Sequence, residues 1–304
     1  MSKSTISTFE LFKLYPDEAA GRQYFEGLLW ENGPICPACK GGDRLTPRKN
    51  GYYRCNACKV DFSVCTGTIF GGTHIKLHKW IYAMYLLVTS RKGISSLQLS
   101  KEIGITQKSA WFMLQRLREA CGNDPVMLKG IVEGDEAYFG GREGNKHSSK
   151  KLRAGRGAVG KTAVIGLRER GGRTKAKTVE SVGANTLQAY IHENVEPGST
   201  LCTDENTSYQ GLGETFDHET INHGAGEYAR NNVSTNSIES VWAVMKRGIH
   251  GVYHHASKKH LGRYVDEFTF RLNEGDVRRH TLERMDSFVA ATVGQRITYK
   301  ELIA

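Results

Sequence analysis

Acidic residues that lie far apart in the sequence have the types and positions of a divalent-cation site. Asp135 ends the apolar run GIVEGD, and Asp204 ends a similar run, STLCTD. Strand ends are where α/β folds place functional groups. A third acid, Glu239, lies in the first turn of a predicted helix, and Lys246 falls on nearly the same line of that helix two turns later. We therefore predict one pocket in which three carboxylates and a lysine meet.

Carboxylates that are brought together repel one another and resist ionisation unless a cation binds between them. Mg²⁺ prefers oxygen ligands and keeps water molecules for chemistry. Two such ions can activate water and stabilise the leaving oxygen of a phosphoryl transfer. The predicted Mg²⁺ ligands are Asp135, Asp204 and Glu239, with Lys246 reaching toward a phosphate. The same interpretation covers the other acids of the first run, Glu133 and Glu136.

Each of these acids also has an ordinary structural explanation. Asp135 could pair with an arginine, and Asp204 could cap a turn. Asn236 and Glu239 have the spacing of a capping box, in which the glutamate bonds back to the start of the helix. The metal interpretation is favoured by the rest of the sequence, which carries further signs of DNA chemistry.

Cysteines near the N-terminus predict a second metal site. Two CxxC pairs stand fifteen residues apart, and they are Cys36, Cys39, Cys55 and Cys58. Four thiolates at this spacing are typical of a tetrahedral structural zinc site. Asn50-Gly51 between the pairs favours a two-residue hairpin turn. We therefore predict a zinc ribbon over residues 34–72.

The composition favours a polyanionic partner. The 42 Lys and Arg residues exceed the 32 Asp and Glu residues, which gives a net charge of +10. Such an excess favours nucleic acid, although a basic enzyme without such a partner would share it. No apolar run of about 18 residues is present, and the N-terminus lacks a signal-peptide pattern. We expect a cytoplasmic protein without a membrane partner.

Residues 73–123 read as helices and resemble a DNA-binding arrangement. One helix, a short turn at Gly104 and a second helix capped by Thr106 have the layout of a helix-turn-helix. A plain helical hairpin is the alternative. The residues expected to contact DNA from this segment are Lys108 and Arg116. The remaining helical segments are predicted over residues 1–33, with a helix at 17–31, and over a C-terminal tail, 276–304.

Residues 124–275 have the element order of an RNase H-like α/β domain: three strands, a helix, a strand and then helices. A basic insertion at 142–160 is rich in Gly and Ser, and we predict a mobile loop that contacts phosphates. The predicted DNA contacts of this domain are Lys150, Lys151, Arg153, Arg156, Lys246, Arg247, Lys258 and Lys259.

From about residue 20 to residue 275, the motifs resemble those of the zinc-ribbon DDE-type transposases of bacterial insertion sequences. They are CPAC…CNAC, VEGDEAYFGG, TDENTSY, INHGAGEY and NSIESVWAVMKRGIHGVYHHASKKHLGRYVDEFTFRLN. The resemblance implies a multi-domain α/β protein, with an N-terminal helix, a four-Cys zinc ribbon and a helix-turn-helix before an RNase H-like catalytic domain. It places the first two catalytic acids at Asp135 and Asp204. The third falls on Glu239, with Asn236 as the alternative, and the basic residue that follows is Lys246.

The resemblance also implies a function. We expect two Mg²⁺ ions per active site, with Mn²⁺ as a substitute, and a structural Zn²⁺. The enzyme would cut double-stranded DNA at the terminal inverted repeats of an insertion sequence and join the 3′-hydroxyl to target DNA. Two ends must be joined in concert, so a dimer or larger assembly at the nucleoid is expected. The alternatives are a zinc-ribbon DNA-binding regulator and a nuclease that does not join strands.

Overall fold

The computed structural model describes residues 5–122, 125–141, 143–152, 158–222, 229–230 and 233–304. The chain divides into two compact units, residues 1–123 with 274–304 and residues 124–273. Within the described ranges, no helix is long and apolar enough to cross a membrane. Two of the predicted DNA contacts, Arg153 and Arg156, lie outside the described residues.

The first unit begins with two short helices, α1 (Thr8–Leu14) and α2 (Glu18–Leu29). Asp17 caps α2 by accepting the amide of Ala20 at 2.9 Å, which satisfies one of the free N–H groups at the helix start. The helix lies within the range predicted over 17–31. Its buried Phe25 packs against Phe70, with ring centroids 4.6 Å apart.

A three-stranded antiparallel sheet follows, and it confirms the predicted ribbon. Its strands, in spatial order, are β1 (Leu45–Pro47), β2 (Tyr53–Cys55) and β3 (Asp61–Phe62). The hairpin turn occupies three residues, Lys49–Gly51, rather than the predicted two. Asn50 and Gly51 have φ of 59° and 72°, a left-handed conformation that asparagine and glycine tolerate best.

Three helices complete the N-terminal part of this unit: α3 (Leu77–Thr89), α4 (Ser96–Ile103) and α5 (Gln107–Cys121). Gly104 ends α4 in a left-handed conformation, and the Thr106 side chain accepts the amide of Ser109 at the start of α5. The predicted succession of helix, Gly104 turn and helix is therefore present. Its role in DNA binding stays a prediction.

The second unit is built on a five-stranded mixed sheet in the spatial order β6-β5-β4-β7-β8. The strands are β4 (Ile131–Phe139), β5 (Thr162–Glu169), β6 (Thr174–Val179), β7 (Thr200–Asp204) and β8 (Asp217–Ile221). The first three pair antiparallel, and β7 and β8 add on parallel to β4. Helix α6 (Ala184–Asn194) connects β6 to β7. This arrangement confirms the predicted α/β fold class.

Each face of the sheet has its own core, because alternate residues of a strand point to opposite faces. Val132 of β4 packs with Leu187 and Ile191 of α6. Phe139 of the same strand belongs to the opposite core, which includes Trp242. The elements after the sheet are β9 (Ala229–Arg230), β10 (Val233–Ser234), α7 (Asn236–Gly248) and α8 (Lys258–Asn273), with a π-helical segment Ile249–Tyr253 between the two helices.

The C-terminal helices α9 (Thr281–Ala291) and α10 (Tyr299–Ile303) belong to the first unit, whereas the sequence predicts a separate tail over 276–304. Phe288 of α9 is fully buried, and the Tyr24 hydroxyl of α2 donates to the Asp286 carboxylate at 2.8 Å. The chain thus leaves the first unit after α5 and returns to it after α8.

Candidate metal centres

Two parallel strands bring the predicted aspartates together. In the β4–β7 register Glu133 lies opposite Cys202, so continuing it by two residues places Asp135 beside Asp204. One oxygen from each of Asp135, Glu136 and Asp204 lies within 4.8 Å of the others. Asp204 ends β7 as predicted, but Asp135 and Glu136 lie in the middle of β4, which continues to Phe139, so the predicted position of Asp135 at a strand end was wrong. The three clustered carboxylates are a donor set that suits a divalent cation such as Mg²⁺.

These carboxylates open into a pocket of about 450 Å³ that α7 completes. Glu239 and Lys246 line the same pocket from α7. Glu239 accepts a hydrogen bond from the Thr235 hydroxyl at 3.3 Å, and it does not belong to the tight group of three carboxylates. Asn236, the alternative third position, is not among the pocket-lining residues.

Asp135 is held by the helix packed above it. Its carboxylate accepts a hydrogen bond from the Trp242 indole N–H at 2.9 Å. The indole has room because Gly166 lies opposite Asp135 on β5, and a Cβ at that position would come within 2.4 Å of the Trp242 ring. Burial is the main cause that raises the pKa of Asp135 to about 6, and the nearby Asp204 adds to it.

Glu136 belongs to the carboxylate cluster, although the sequence analysis did not name it among the three predicted Mg²⁺ ligands. It follows Asp135 on β4 and therefore points to the other face, where the Tyr209 hydroxyl donates to it at 2.8 Å. Burial raises the pKa of Glu136 to about 7, with Asp204 as a further contributor. Holding both Asp135 and Glu136 ionised is therefore costly, and a bound cation would offset that cost.

Glu133 has a structural role, so its assignment to the metal-binding acids was wrong. The side chain is 1% exposed and accepts two hydrogen bonds from Arg170, the shorter at 2.8 Å. Its second oxygen accepts the amides of Ser237 at 2.8 Å and Ile238 at 3.1 Å. The carboxylate thus caps α7, whose free N–H groups and dipole both favour a negative charge at this end.

The capping box that the spacing of Asn236 and Glu239 allows, the alternative to a metal-binding role of Glu239, is not formed. Asn236 is the first residue of α7, Thr235 is the N-cap, and no side chain of the helix itself caps it. The distant Glu133 provides the cap instead. Glu239 lines the pocket, where it accepts a hydrogen bond from the Thr235 hydroxyl of the N-cap.

The four predicted cysteines also meet in space. Their sulfur atoms lie within 4.8 Å of one another, with Cys36 and Cys58 3.5 Å apart and Cys39 and Cys55 3.6 Å apart. Tetrahedral zinc–thiolate bonds of about 2.3 Å would place neighbouring sulfurs about 3.8 Å apart. The backbone amide of Cys58 is the main cause that lowers the pKa of Cys55 to about 6, which favours a thiolate. The donor set fits a structural zinc ion.

The predicted DNA contacts differ in their accessibility. Those with exposed side chains are Lys108, Lys151, Lys246, Arg247, Lys258 and Lys259. Lys150 ends a short 3₁₀ turn in the basic insertion. Arg116 is 4% exposed, donates to the carbonyl of Gly71 and stacks between the rings of Trp80 and Phe112. Its predicted direct contact with DNA was therefore wrong, because α5 turns it into the core.

Comparison with solved structures gives only distant similarity. The Mos1 strand transfer complex matches with a TM-score of 0.21 and 14% identity, over 71% of this chain and 78% of that chain. A simian T-cell lymphotropic virus intasome matches with a TM-score of 0.29 and 12% identity, over 63% and 65% of the two chains. Scores this low are no basis for a functional argument.

Sequence comparison is more informative. A protein in transposable element ISH50 of Halobacterium salinarum is 28% identical over 275 residues, which cover 85% of this chain and 92% of the relative. A transposase-like protein of Haemophilus influenzae is 32% identical over 101 residues, 33% of this chain and 80% of the relative. Residues 127–273 match the ISXO2-like transposase domain, and residues 16–60 match the transposase zinc-ribbon domain. The chain therefore belongs to the family of ISXO2-like transposases that carry a zinc ribbon.

Proposed function

We propose that this chain is a Mg²⁺-dependent enzyme that cuts DNA at the ends of an insertion sequence and joins the freed 3′-hydroxyl to target DNA. The observation that carries the proposal is the cluster of Asp135, Glu136 and Asp204 on the adjacent strands β4 and β7, in a pocket that also contains Glu239 and Lys246. Acidic clusters of this kind bind the ions that catalyse phosphoryl transfer.

The residues that line the pocket would have different roles in the reaction. Asp135 and Asp204 would hold the ions, with Glu136 on one side and Glu239 on α7 as further oxygen donors. Bound Mg²⁺ would activate the attacking water or hydroxyl and offset charge on the leaving oxygen. Trp242 fixes the Asp135 carboxylate, and the exposed Lys246 offers a cation to the DNA phosphate.

The other parts of the chain would bind DNA and organise the complex. A zinc ion on the four cysteines would replace the large core that so short a ribbon cannot build. The ribbon and the α4–α5 pair would recognise the terminal repeats, which is consistent with the net charge of +10. Since two DNA ends must react together, we propose that the chain acts as a dimer or larger assembly.

The proposal is tested with DNA that carries the sequences flanking the coding region, incubated with the protein and Mg²⁺. Asp135→Asn and Asp204→Asn should each lower the cleavage rate by at least about 1,000-fold, since each removes several kcal/mol of transition-state stabilisation. Both variants should still bind DNA. Glu205→Gln is the matched control, because this exposed neighbour of Asp204 does not line the pocket, and it should cut like the wild type.

Three outcomes would contradict the proposal. Cleavage that survives Asp204→Asn would remove this pocket from the reaction. Cleavage without joining, in a reaction that supplies pre-cut 3′-hydroxyl ends and target DNA, would identify the chain as a nuclease of the same fold. A wild-type chain that binds DNA without cutting it would instead favour the regulator.

A further inference from the structure

A second cavity, of about 440 Å³, lies in the first unit and takes no part in the carboxylate pocket. Its walls come from α2, the tip of the ribbon hairpin, the loop at residues 63–76 and the C-terminal segment at Arg296. Neither the zinc site nor the predicted DNA contacts of the sequence include the side chains that give this cavity its charge.

The cavity is positively charged. Three cations line it, Arg22, Lys76 and Arg296, against one acid, Glu18. The Glu18 carboxylate is already engaged, because it accepts the amide of Leu77 at the start of α3. Throughout the described part of the chain, none of the three cations has a hydrogen bond or ion-pair partner. Glu26 interacts electrostatically with Arg22, and Glu301 with Arg296, but neither acid forms an ion pair with its arginine. Cations that converge on a cavity without ion-pair partners indicate an anionic ligand.

A buried positive charge behind the cavity wall also indicates an anionic ligand. The guanidinium of Arg116 donates to the carbonyl of Gly71, a residue of the cavity wall, and its Nε has no hydrogen-bond partner. Among the described residues, no carboxylate lies within ion-pair distance of it. The nearby Cys65 does not compensate, since burial raises the pKa of its thiol to about 11 and keeps it neutral. A buried cation without an anion is costly, and an anion in the cavity would lower that cost.

The wall of the cavity is fixed before any ligand arrives. Hydrogen bonds within the loop run from Ser63 to Thr66 at 3.0 Å and from Phe70 to the Thr68 hydroxyl at 3.1 Å. Thr73 accepts the Trp80 indole N–H at 3.2 Å, which ties the loop to α3. Such preorganisation reduces the entropy that binding must overcome.

The hairpin tip also shapes the site. Arg22 lies over Gly51, and a Cβ on that glycine would come within 2.3 Å of the arginine side chain. Gly51 therefore gives Arg22 the space that it occupies in the cavity wall, and it does so with a φ of 72° that other residues rarely adopt.

We propose that this cavity binds a backbone phosphate of duplex DNA, held by Arg22, Lys76 and Arg296 with the buried charge of Arg116 behind them. The choice of DNA as the source of the phosphate rests on the proposed function. The site would couple the zinc ribbon to α2 and α3 on the DNA, since Arg22 belongs to α2, Lys76 is the N-cap of α3 and the hairpin tip forms part of the same wall.

The test is the salt dependence of binding. Wild-type protein and the variant Arg22→Ala/Lys76→Ala/Arg296→Ala are titrated against a fluorescent DNA duplex by anisotropy across a KCl series, without added Mg²⁺. Each lost phosphate contact lowers the slope of log K against log[salt] by about 0.9, and the three cations are proposed to hold one phosphate, so we expect a fall of about 0.9. The matched control is Lys13→Ala/Lys92→Ala/Lys300→Ala, which removes the same charge from exposed positions outside the cavity.

A slope that falls no further than that of the control would overturn the inference. Should the triple variant unfold, as judged by circular dichroism, Lys76→Ala/Arg296→Ala replaces it, because both side chains are exposed, and its slope should fall by up to about 0.9. The readout is independent of cleavage. If the wild type cuts and joins DNA but the cavity variants have the same salt slope as the wild type, only this phosphate site is refuted. If the variants have a lower salt slope but the wild type does not cut DNA, only the proposed function is refuted.

Discussion

At the scale of the residue, neighbouring acids on one strand have three different roles. Glu133 and Asp135 point to the face covered by α7, where one caps the helix and the other accepts the Trp242 indole N–H. Glu136 points to the opposite face and to Tyr209. The strand alternation that separates these roles is visible in the sequence, but the partners are not, since Tyr209 lies 73 positions from Glu136.

We predict that Glu136 contributes directly to cation binding. Glu136→Gln should weaken Mn²⁺ binding, measured as free Mn²⁺ by electron paramagnetic resonance, by about 10-fold or more, because an amide replaces a carboxylate donor. Tyr209→Phe should weaken it less, since it removes only the hydrogen bond that orients the carboxylate. Glu214→Gln, at an exposed position of the same unit, is the control. Unchanged affinity in Glu136→Gln would assign this acid to the fold alone.

At the scale of the element, the position of α7 depends on a contact that joins distant parts of the chain. The sequence places Glu239 and Lys246 on one side of the helix correctly, because helical periodicity is local. It could not show that Glu133, 104 positions before Ser237, caps the helix, because only the local spacing of Asn236 and Glu239 is visible in the sequence, and that spacing offers a capping box as an alternative. Burial of Arg116 escaped prediction for the same reason, since Gly71 and Trp80, which it contacts, lie outside α5.

We therefore predict a large stability effect at Glu133. Glu133→Ala leaves Arg170 and two helix amides without their acceptor, and loss of a buried partner of this kind costs about 3–5 kcal/mol. Glu180→Ala, at an exposed position of the same unit, should change stability by no more than about 0.5 kcal/mol. Urea denaturation followed by circular dichroism compares the two. Equal midpoints would show that α7 does not depend on this cap.

At the scale of the whole molecule, the chain forms two units, each with its own buried residues, and the first is closed by helices from both ends of the sequence. Element order predicted the sheet of the second unit, because the succession of strands and helices restricts the possible topologies. The place of α9 could not be predicted in this way, since its apolar face indicates burial without naming a partner. Only the packing shows that Asp286 meets Tyr24.

The central claim, that the clustered carboxylates of β4 and β7 hold the catalytic cations, is tested most directly by hydrogen exchange of the whole chain with and without saturating Mg²⁺. A ligand that binds the folded state slows exchange where it bonds. We predict slower exchange in β4, β7 and the first turns of α7, no change in the zinc ribbon, and no effect of Mg²⁺ on Asp135→Asn/Asp204→Asn. The account would be contradicted if Mg²⁺ left the exchange rates of these elements unchanged in the wild type. It would also be contradicted if Mg²⁺ slowed exchange equally in the double variant.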